Sequence, residues 1–366
     1  MLALLRAPGI GPARFARLLE YFGSAAAVFA VGRAEWSRLE LPGVALDYLS
    51  APDWRRVETD LAWLDQPDNH LLALADPRYP LLLRQIPYPP PLLFVHGDPD
   101  CLRMLQLAIV GTRNPTPPGR ETAHRFAEHL AEAGMIITSG LALGIDTAAH
   151  EGALASSKGR TIAVMGTSLD RVYPAKNRDL AHKIAERGAL VSELPTGTPA
   201  AAGNFPQRNR LISGLTLGVL VVEAAARSGS LITARLALEQ GREVFAIPGS
   251  IHNPLAKGCH ALIREGAKLV EVATDILEEL GSLAATTGSV ESPVEAVQGV
   301  ASAGLDSLDE MYRQLLVAMG DEPCGIDLLV ERCGLTAEVV SSMLLILELE
   351  GFTAAVPGGF YCRLKC

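Results

Sequence analysis

Residues 108–119 read AIVGTRNPTPPG and hold the pattern that decides the fold. A run of aliphatic residues ends at Val110, a turn follows at Gly111, and a helix is predicted to begin near Pro118. Six more short aliphatic runs follow along the chain, and with the first they span 107–110, 135–138, 161–165, 189–192, 217–222, 243–247 and 268–270. Because helix-length spacers separate them, we predict β-α-β crossovers and a doubly wound α/β sheet. Ligands of such sheets bind beyond the carboxyl ends of the strands.

Two boundaries enclose this central domain, which we place at residues 76–280. The stretch 86–97, IPYPPPLLFVHG, holds the chain extended because consecutive prolines block a helix, and the pattern before it is helical. We therefore expect an all-α domain over residues 1–75. Residues 281–305 contain no Lys or Arg and have no clear period, which is typical of a flexible linker.

Each flanking domain has a recognisable pattern. Residues 5–19, LRAPGIGPARFARLL, resemble a helix-hairpin-helix, so we expect a helix-hairpin-helix or SAM-like domain. Such hairpins either take a phosphate on the N–H groups of the glycine turn or serve only in packing, and both interpretations stay open. Residues 306–366 read as three helices and a two-stranded wing, a winged-helix pattern. Its third helix, 336–349, has no Lys, Arg, Asn or Gln, so we expect a regulatory or protein-binding role.

The composition excludes several classes of protein. With 49% hydrophobic and 20% charged residues the chain is expected to fold rather than to be disordered. No signal peptide and no apolar run of about 18 residues is found, which predicts a soluble cytoplasmic protein without a membrane partner. The six cysteines lack a Cys-x-x-Cys spacing, so we expect ordinary thiols and no metal site, even for the terminal group Cys324, Cys333, Cys362 and Cys366.

Charge is distributed unevenly. The formal net charge of −9 argues against a nucleic-acid partner for the chain as a whole. Residues 106–275, however, carry 18 Lys and Arg against 15 Asp and Glu, whereas residues 306–366 carry 4 against 10. The central domain is therefore the place to look for anion binding.

The loop after the first strand has features that bind anions. The helix predicted near Pro118 begins with free N–H groups, and Arg113 adds a planar guanidinium suited to phosphate. Arg113 also stands where the dinucleotide fingerprint Gly-x-Gly-x-x-Gly has its second glycine, and no P-loop motif is present. We therefore predict phosphate binding without NAD, FAD or ATP, and no cofactor.

The second loop, residues 139–150, reads SGLALGIDTAAH and is another strand, glycine turn and helix start. Asp146 and His150 lie one helical turn apart and could form a metal pair or an acid–base couple. We favour a structural interpretation, in which Asp146 caps the first helical turn or places its charge there, and His150 makes a local hydrogen bond.

The third and fourth loops concentrate basic and aromatic residues. The third places Arg171, Lys176 and Arg178 beside Tyr173. The fourth, residues 205–214, reads FPQRNRLISG, and it is followed after one more strand by a helix that opens at residues 228–230, SGS. Arginine–phosphate contacts combined with aromatic stacking are typical of single-stranded nucleic-acid binding. The structural alternative is an ion pair between Arg208 or Arg210 and Glu193 or Glu223.

Five motifs taken together resemble one family. In chain order they are IVGTR (109–113), SGLALGIDTAAH (139–150), FPQRNRLISG (205–214), SGSLITA (228–234) and IPG (247–249). They resemble the DNA-processing protein DprA (Smf) family, over residues 1–270. The resemblance implies an extended Rossmann domain that binds single-stranded DNA without sequence preference, dimerises, and helps to load the RecA recombinase during natural transformation.

The resemblance assigns binding roles to Arg113, Arg208 and Arg210. Lys176 is a looser match, because the lysine of the family often directly follows the Tyr-Pro pair, where this chain has Ala175. Ser168 also stands where a glycine is common in the family. Because serine tolerates fewer backbone conformations than glycine, we expect the backbone of that loop to differ from that of the family. The full set of predicted DNA-binding residues is Gly111, Thr112, Arg113, Ser139, Gly140, Tyr173, Lys176, Phe205, Arg208, Asn209, Arg210, Ser228, Gly229 and Ser230.

The predicted function is that of a non-enzymatic, homodimeric single-stranded DNA binder with RecA as its protein partner. The alternative is a Rossmann-type hydrolase acting on nucleoside monophosphates. Relatives of that kind use a Pro-Gly-Gly-x-Gly-Thr-x-x-Glu motif, whereas residues 248–253 read PGSIHN. A sequence-specific regulator that uses the winged helix is disfavoured by the missing basic residues.

Overall fold

The computed structural model describes residues 1–287, 310–319, 324–349, 353–356 and 360–363. The chain divides into two compact units, Met1–Leu283 and Ala284–Cys366. The first unit begins with short helices: α1 (Leu2–Leu5), α2 (Pro12–Phe22), α3 (Ala25–Ala30), α4 (Arg33–Ser37), α5 (Gly43–Ser50) and α6 (Trp54–Leu64).

After these helices, strands alternate with helices. The strands are β1 (Asn69–Ala73), β2 (Leu92–Gly97), β3 (Gln106–Val110), β4 (Ile136–Ser139), β5 (Thr161–Val164), β6 (Ala189–Ser192), β7 (Gly218–Val221), β8 (Glu243–Ala246) and β9 (Lys268–Leu269). The helices are α7 (Leu81–Arg84), α8 (Pro117–Glu132), α9 (Ile145–Ala155), α10 (Arg178–Arg187), α11 (Asn204–Leu215), α12 (Ser230–Glu239), α13 (Lys257–Arg264) and α14 (Thr274–Thr287).

Among the described residues these strands form one 9-stranded sheet in the order β1-β2-β6-β5-β4-β3-β7-β8-β9. Neighbours from β6 to β9 in this order are parallel. The chain leaves β3 toward β4, β5 and β6, and then returns to the other side of β3 as β7, β8 and β9. The predicted doubly wound class is confirmed, and each predicted aliphatic run overlaps one strand. The direction of winding changes between β3 and β7, where such sheets open a crevice.

Two antiparallel strands extend the sheet beyond the prediction. β1 pairs with β2, with Leu71 opposite Phe94, and β2 pairs with β6. The expectation that the chain is helical throughout before the proline-rich stretch is therefore wrong at residues 69–73. Pairing with β2 and complete burial of Leu72 decide this segment, which has no local strand signal. Residues 1–75 thus contribute a strand to the central sheet.

The core lies on both faces of the sheet because side chains alternate along each strand. Ala108 and Val110 of β3 join one buried cluster with α11, α12 and α13. Leu107 and Ile109 join another with α8, α9 and α14. Helices therefore cover both faces, and the loops at the strand ends remain free to build a site.

The N-terminal helices pack on the antiparallel edge of the sheet. They have a core of their own, which includes Leu4, Phe15, Leu18, Val28 and Trp36. A second apolar cluster joins Leu2, Val57 and Trp63 to Leu92 and Phe94 of β2. The helical region is thus continuous with the sheet through buried side chains.

The described elements of the second unit are α15 (Glu310–Met319), β10 (Cys324–Gly325), α16 (Ile326–Cys333), α17 (Ala337–Leu349), β11 (Thr353–Val356) and β12 (Phe360–Arg363). The strands form an antiparallel sheet in the order β10-β12-β11. Leu329, Val340, Leu344 and Leu347 are fully buried in its core. Three helices followed by a wing confirm the predicted winged helix.

The linker predicted over residues 281–305 is wrong for residues 281–287, because α14 continues to Thr287. Leu283, Ala284 and Ala285 favour a helix, and no proline interrupts this segment. The rest of the predicted linker, residues 288–305, and residues 306–309 of the predicted winged-helix domain lie outside the described residues. None of the helices that the structure describes is long and apolar enough to cross a membrane.

Candidate nucleic-acid interface

A cleft of about 650 Å³ opens at the carboxyl ends of the parallel strands, beside the neighbouring strands β3 and β7, between which the direction of winding changes. Parallel strands end at the same edge, so loops that are distant in sequence meet there. Most of the predicted site residues line this cleft: Gly111, Thr112, Arg113, Tyr173, Phe205, Arg208, Asn209, Ser228, Gly229 and Ser230. Sequence reasoning therefore located the edge of the sheet and most of the side chains.

The glycine turn after β3 is packed tightly against its neighbours. A Cβ atom at Gly111 would lie 2.6 Å from Cγ1 of Ile145 and 2.9 Å from the carbonyl oxygen of Glu223. The Thr112 N–H donates to that same Glu223 carbonyl at 2.7 Å, and the Ile145 N–H donates to the Thr112 carbonyl at 3.1 Å. The loops after β3, β4 and β7 thus form one connected floor.

The start of α8 is already occupied by a carboxylate of the chain itself. The Thr116 N–H and hydroxyl donate to the two carboxylate oxygens of Glu223 at 2.9 and 2.6 Å. The Thr116 hydroxyl oxygen in turn accepts from the Gly119 N–H at 3.1 Å and caps the helix. The expectation that this helix begins with free N–H groups is therefore wrong, because Glu223, 107 residues away in sequence, and the Thr116 hydroxyl already accept from its first donors.

Arg113 and two aromatic rings form the open wall of the cleft. The Arg113 guanidinium carbon lies 5.9 Å from the centre of the Phe205 ring. The Tyr173 ring lies 5.5 Å from Phe205 at an interplanar angle of 39° and is 49% exposed. Arg113 is exposed, and no carboxylate lies within 4 Å of it among the described residues. A free cation and an accessible ring are therefore presented together.

Phe205 sits where it does because residue 166 is a glycine. A Cβ atom at Gly166 would lie 2.7 Å from Cδ1 of the Phe205 ring. The Asn204 side-chain amide also donates to the Gly166 carbonyl at 3.1 Å and so fixes the first residue of α11. The loop after β5 thus supports the ring from beneath.

Arg208 lies under the cleft rather than on its rim. It is buried, Nη1 donates to the Val164 carbonyl, and Nε has no partner. Gly140 makes room for it, because a Cβ atom there would collide with the guanidinium. Burial lowers the pKa of Arg208 to about 10, an effect that the Asp146 charge opposes and the Arg113 charge adds to. Arg208 remains a cation at neutral pH.

Asp146 and His150 are committed to internal contacts. Asp146 accepts from the N–H groups of Gly140 at 3.1 Å and Ala142 at 3.3 Å, so it binds the loop before α9 rather than capping the helix itself. Burial raises its pKa, against the effect of Arg208. Nδ1 of His150 lies 2.7 Å from the Thr161 hydroxyl of β5, and burial lowers the His150 pKa to about 3. The structural interpretation of this pair is supported.

Four predicted residues lie outside the cleft lining. Ser139 and Gly140 are buried beneath it, and the Ser139 hydroxyl donates to the Ile109 carbonyl at 2.6 Å. Lys176 is exposed and lines a separate groove of about 480 Å³ between α9 and α10. Arg210 forms an ion pair with Glu193, the structural alternative that the sequence analysis left open.

Helix geometry explains why Arg208 and Arg210 part. Two residues apart on an α-helix, side chains point about 200° apart around the axis. With Arg208 directed at the strand ends, Arg210 is turned toward Glu193 and the Tyr88 carbonyl, 3.4 Å from Nη1. The prediction that both arginines face one site did not take this phase into account.

The cleft includes residues that sequence reasoning missed. They are Val110, Ala142, Ala200, Ala201, Ala202, Pro206, Ile212, Ile232 and Thr233. Residues 200–202 are small and carry no chemical signal in the sequence. Ile232 and Thr233 could have been found, because they follow Gly229 by three and four residues and share its face of α12. Where that helix begins, the Ser228 and Ser230 hydroxyls lie 2.7 Å apart at the cleft.

Comparison with known proteins gives a consistent assignment. Residues 70–281 match the family described as DNA recombination-mediator protein A. Residues 1–31 match the DprA-like N-terminal HHH domain, and residues 300–359 match the DprA winged helix domain. The predicted helix-hairpin-helix is thereby confirmed.

Individual relatives are similar over most of the chain. Protein Smf of Escherichia coli (strain K12) is 46% identical over 319 residues, which cover 87% of this chain and 83% of that protein. The X-ray structure of DNA processing protein A (DprA) from Streptococcus pneumoniae is 38% identical with a TM-score of 0.68, covering 76% of this chain and 96% of that one.

A second solved structure is described by the single-stranded DNA binding mode of DNA processing protein A from Helicobacter pylori. It is 32% identical with a TM-score of 0.53, covering 58% of this chain and 95% of that one. With the family match, the similar Smf protein and the shared fold, the chain belongs to the DNA recombination-mediator protein A family, the family of DprA and Smf proteins.

Proposed function

We propose that this protein binds single-stranded DNA without sequence preference, with one part of the strand in the cleft at the ends of β3, β5 and β7. The observation that carries the proposal is the exposed Arg113 over Phe205, with Tyr173 beside it. Such an arrangement offers one phosphate a cation and one unpaired base an aromatic face. The Helicobacter pylori relative described by its single-stranded DNA binding supports the same ligand class.

The two aromatic rings of the cleft, those of Tyr173 and Phe205, favour single strands over duplex DNA. A base can stack on Tyr173 or Phe205 only when its own face is free, and in a duplex the bases already stack on one another. The ring faces carry no hydrogen-bond code, so every base is accepted. The Ser228 and Ser230 hydroxyls, which lie at the cleft where α12 begins, add hydrogen-bonding groups that suit a backbone phosphate.

We infer that the protein is a mediator rather than an enzyme. Beneath the cleft, Asp146 accepts from two loop N–H groups and His150 contacts the hydroxyl of Thr161. Neither Asp146 nor His150 is therefore available to a substrate as an acid or base, which supports this inference. We further propose that the DNA-bound form is a cytoplasmic homodimer that loads the RecA recombinase during natural transformation. The family description as a recombination mediator supports this step.

The domain assignment goes with this proposal. We place DNA binding in residues 76–280, with the helix-hairpin-helix or SAM-like region at 1–75 in support and the winged helix at 306–366 in a regulatory role. Residues 306–366 carry 4 basic against 10 acidic residues, and this negative charge supports a role for the winged helix that does not involve contact with DNA.

A binding titration tests the proposal. Fluorescence anisotropy of the full chain with labelled dT oligonucleotides and with a duplex of equal length is expected to give much tighter binding to the single strand. Mixed-sequence single strands should bind as well as dT. A ribohydrolase assay with nucleoside monophosphates runs in parallel. Catalytic hydrolysis of a nucleoside monophosphate, or tighter binding of duplex than of single-stranded DNA, would reject the proposal.

A further inference from the structure

The segment between β6 and α11, residues 193–203, is held from several sides and is called the wall segment below. Ala200, Ala201 and Ala202 of this segment line the cleft, and Phe205 follows directly after it. The wall segment therefore determines where the aromatic ring and one side of the cleft lie.

The N-terminal helices hold the wall segment at Thr196. Asp60 of α6 accepts from the Thr196 N–H at 3.0 Å and from its hydroxyl at 2.7 Å. Arg6, at the end of α1, donates to the Thr196 carbonyl and hydroxyl, both at 3.0 Å. Both backbone groups of Thr196 are thus bonded to side chains more than 100 residues earlier in the chain.

Arg6 and Asp60 also form an ion pair with each other. Nε and Nη2 of Arg6 donate to the two oxygens of Asp60 at 2.6 Å each. Asp60 is fully buried and the Arg6 side chain is 7% exposed. A buried pair of this kind adds little net stability, but it demands one geometry because each charge must keep its partners. The pair is suited to holding an element in register.

The remainder of the wall segment is fixed to the loop that carries Tyr173. The Gly197 N–H donates to Asp170 at 3.1 Å, and the Ser168 hydroxyl donates to the Thr198 carbonyl at 3.0 Å. The Asn204 amide reaches the Pro199 carbonyl at 3.2 Å. Displacement at Thr196 would therefore be passed to both aromatic residues of the cleft.

We propose that Arg6, Asp60 and Thr196 are positioning residues for the cleft, so that the N-terminal helices contribute to DNA affinity without touching the strand. This inference rests on the proposed function. The helical region sets the position of the wall segment, and the wall segment sets the spacing between Phe205, Tyr173 and Arg113. No phosphate contact is assigned to the three positioning residues.

The test uses Thr196→Val in the full chain, because valine keeps the shape and the N–H bond but removes the hydroxyl. Thr216→Val is the matched control. Thr216 is also buried, and its hydroxyl donates to the Ile212 carbonyl at 3.2 Å, at the edge of the sheet opposite the cleft. Thr196→Ser restores the hydroxyl and serves as the rescue variant.

Hydrogen exchange without DNA and dT binding are then measured on all variants. In Thr196→Val we expect faster exchange at residues 197–204 and an affinity at least about fivefold lower, with the salt dependence unchanged because no phosphate contact is lost. Thr216→Val and Thr196→Ser should keep wild-type values for both. Wild-type exchange and affinity in Thr196→Val, or an equal loss in Thr216→Val, would overturn the inference. Failure of the wild-type chain to bind single strands would reject the proposed function instead, and faster exchange confined to 197–204 would still support the positioning role.

Discussion

Arg113 and Arg210 lie in the same domain, and the family resemblance assigns a DNA-binding role to both, yet their surroundings are opposite. Arg113 is exposed, lies over the Phe205 ring, and has no carboxylate within 4 Å among the described residues. The Arg210 side chain is 19% exposed and is paired with Glu193, itself 16% exposed. An arginine whose charge is already neutralised gains little from a phosphate, so position in a motif does not by itself identify a DNA contact.

Breaking the Arg210 pair is expected to produce the largest effect, and on stability. Arg210→Ala leaves the Glu193 carboxylate buried without its partner, which should cost about 3 kcal/mol of unfolding free energy at pH 7. Burial already raises the Glu193 pKa and loss of the Arg210 charge raises it further, so the variant should lose less stability at pH 5 than at pH 7. Urea unfolding at both pH values measures this.

Arg171→Ala is the matched control for that experiment. Arg171 pairs with Asp170 at 3.1 Å, but the two side chains are 43% and 31% exposed. Its removal should change stability by less than about 0.5 kcal/mol. Equal losses in the two variants would show that the Arg210 pair is an ordinary surface contact.

The buried side of the site can be tested by pH. The His150 pKa is lowered to about 3, mainly by burial and further by Arg208, so the unfolded chain takes up a proton at higher pH than the folded one. The stability from neutral His150 is complete above pH about 6.5 and is lost as the pH falls toward 3. Between pH 6.5 and 5 we expect a loss of about 2 kcal/mol.

His150→Asn should remove most of that pH dependence, because asparagine does not titrate in this range. Unfolding of both proteins by denaturant at pH 6.5 and 5 gives the comparison. A variant that keeps the full loss would place the titrating group elsewhere.

The Phe205 ring should contribute less to DNA affinity than Arg113 does, and through stacking rather than charge. Phe205→Leu is expected to weaken single-strand binding by about 1 kcal/mol while the salt dependence of binding stays the same, because stacking releases no counterions. A thermal melt beside the titration separates this from a packing defect. A lower melting temperature with unchanged affinity of the folded protein would make Phe205 a core residue only.

The smallest effect is expected from removing the C-terminal unit. Truncation after Thr287, where α14 ends, removes the acidic winged helix. Single-strand affinity at moderate salt should be unchanged or slightly higher, because like charges near a polyanion are unfavourable. A truncated protein that folds normally but loses about tenfold in affinity would show that this unit contacts DNA.

Local sequence signals were sufficient for the parallel part of the sheet and for one edge of the site. Aliphatic runs predicted each parallel strand, and the loops after them contain Arg113, Tyr173 and Phe205. β1 was not predicted, because residues 69–73 become a strand only through pairing with β2. The end of α14 was misjudged because low charge in residues 281–287 was taken for a linker.

Partners distant in sequence account for the remaining differences. The Glu223 carboxylate occupies the start of α8 from 107 residues away, and Asp60 reaches Thr196 from 136 residues away. No local pattern indicates such contacts. The pairing of Arg210 was foreseen as an alternative, and the helical phase between residues 208 and 210 would have identified which arginine turns away.

The salt dependence of single-strand binding tests the central distinction most directly. Binding of a labelled dT oligonucleotide is titrated at several salt concentrations for wild type, Arg113→Ala, Arg210→Ala and the exposed control Arg125→Ala. Arg113→Ala should lose about 1–3 kcal/mol and lower the slope of log K against log salt by about 0.7, the value for one single-strand phosphate contact. Arg210→Ala and Arg125→Ala should keep the wild-type slope. An unchanged slope in Arg113→Ala, or a reduced slope in Arg210→Ala alone, would contradict the assignment of the free arginine as the phosphate contact.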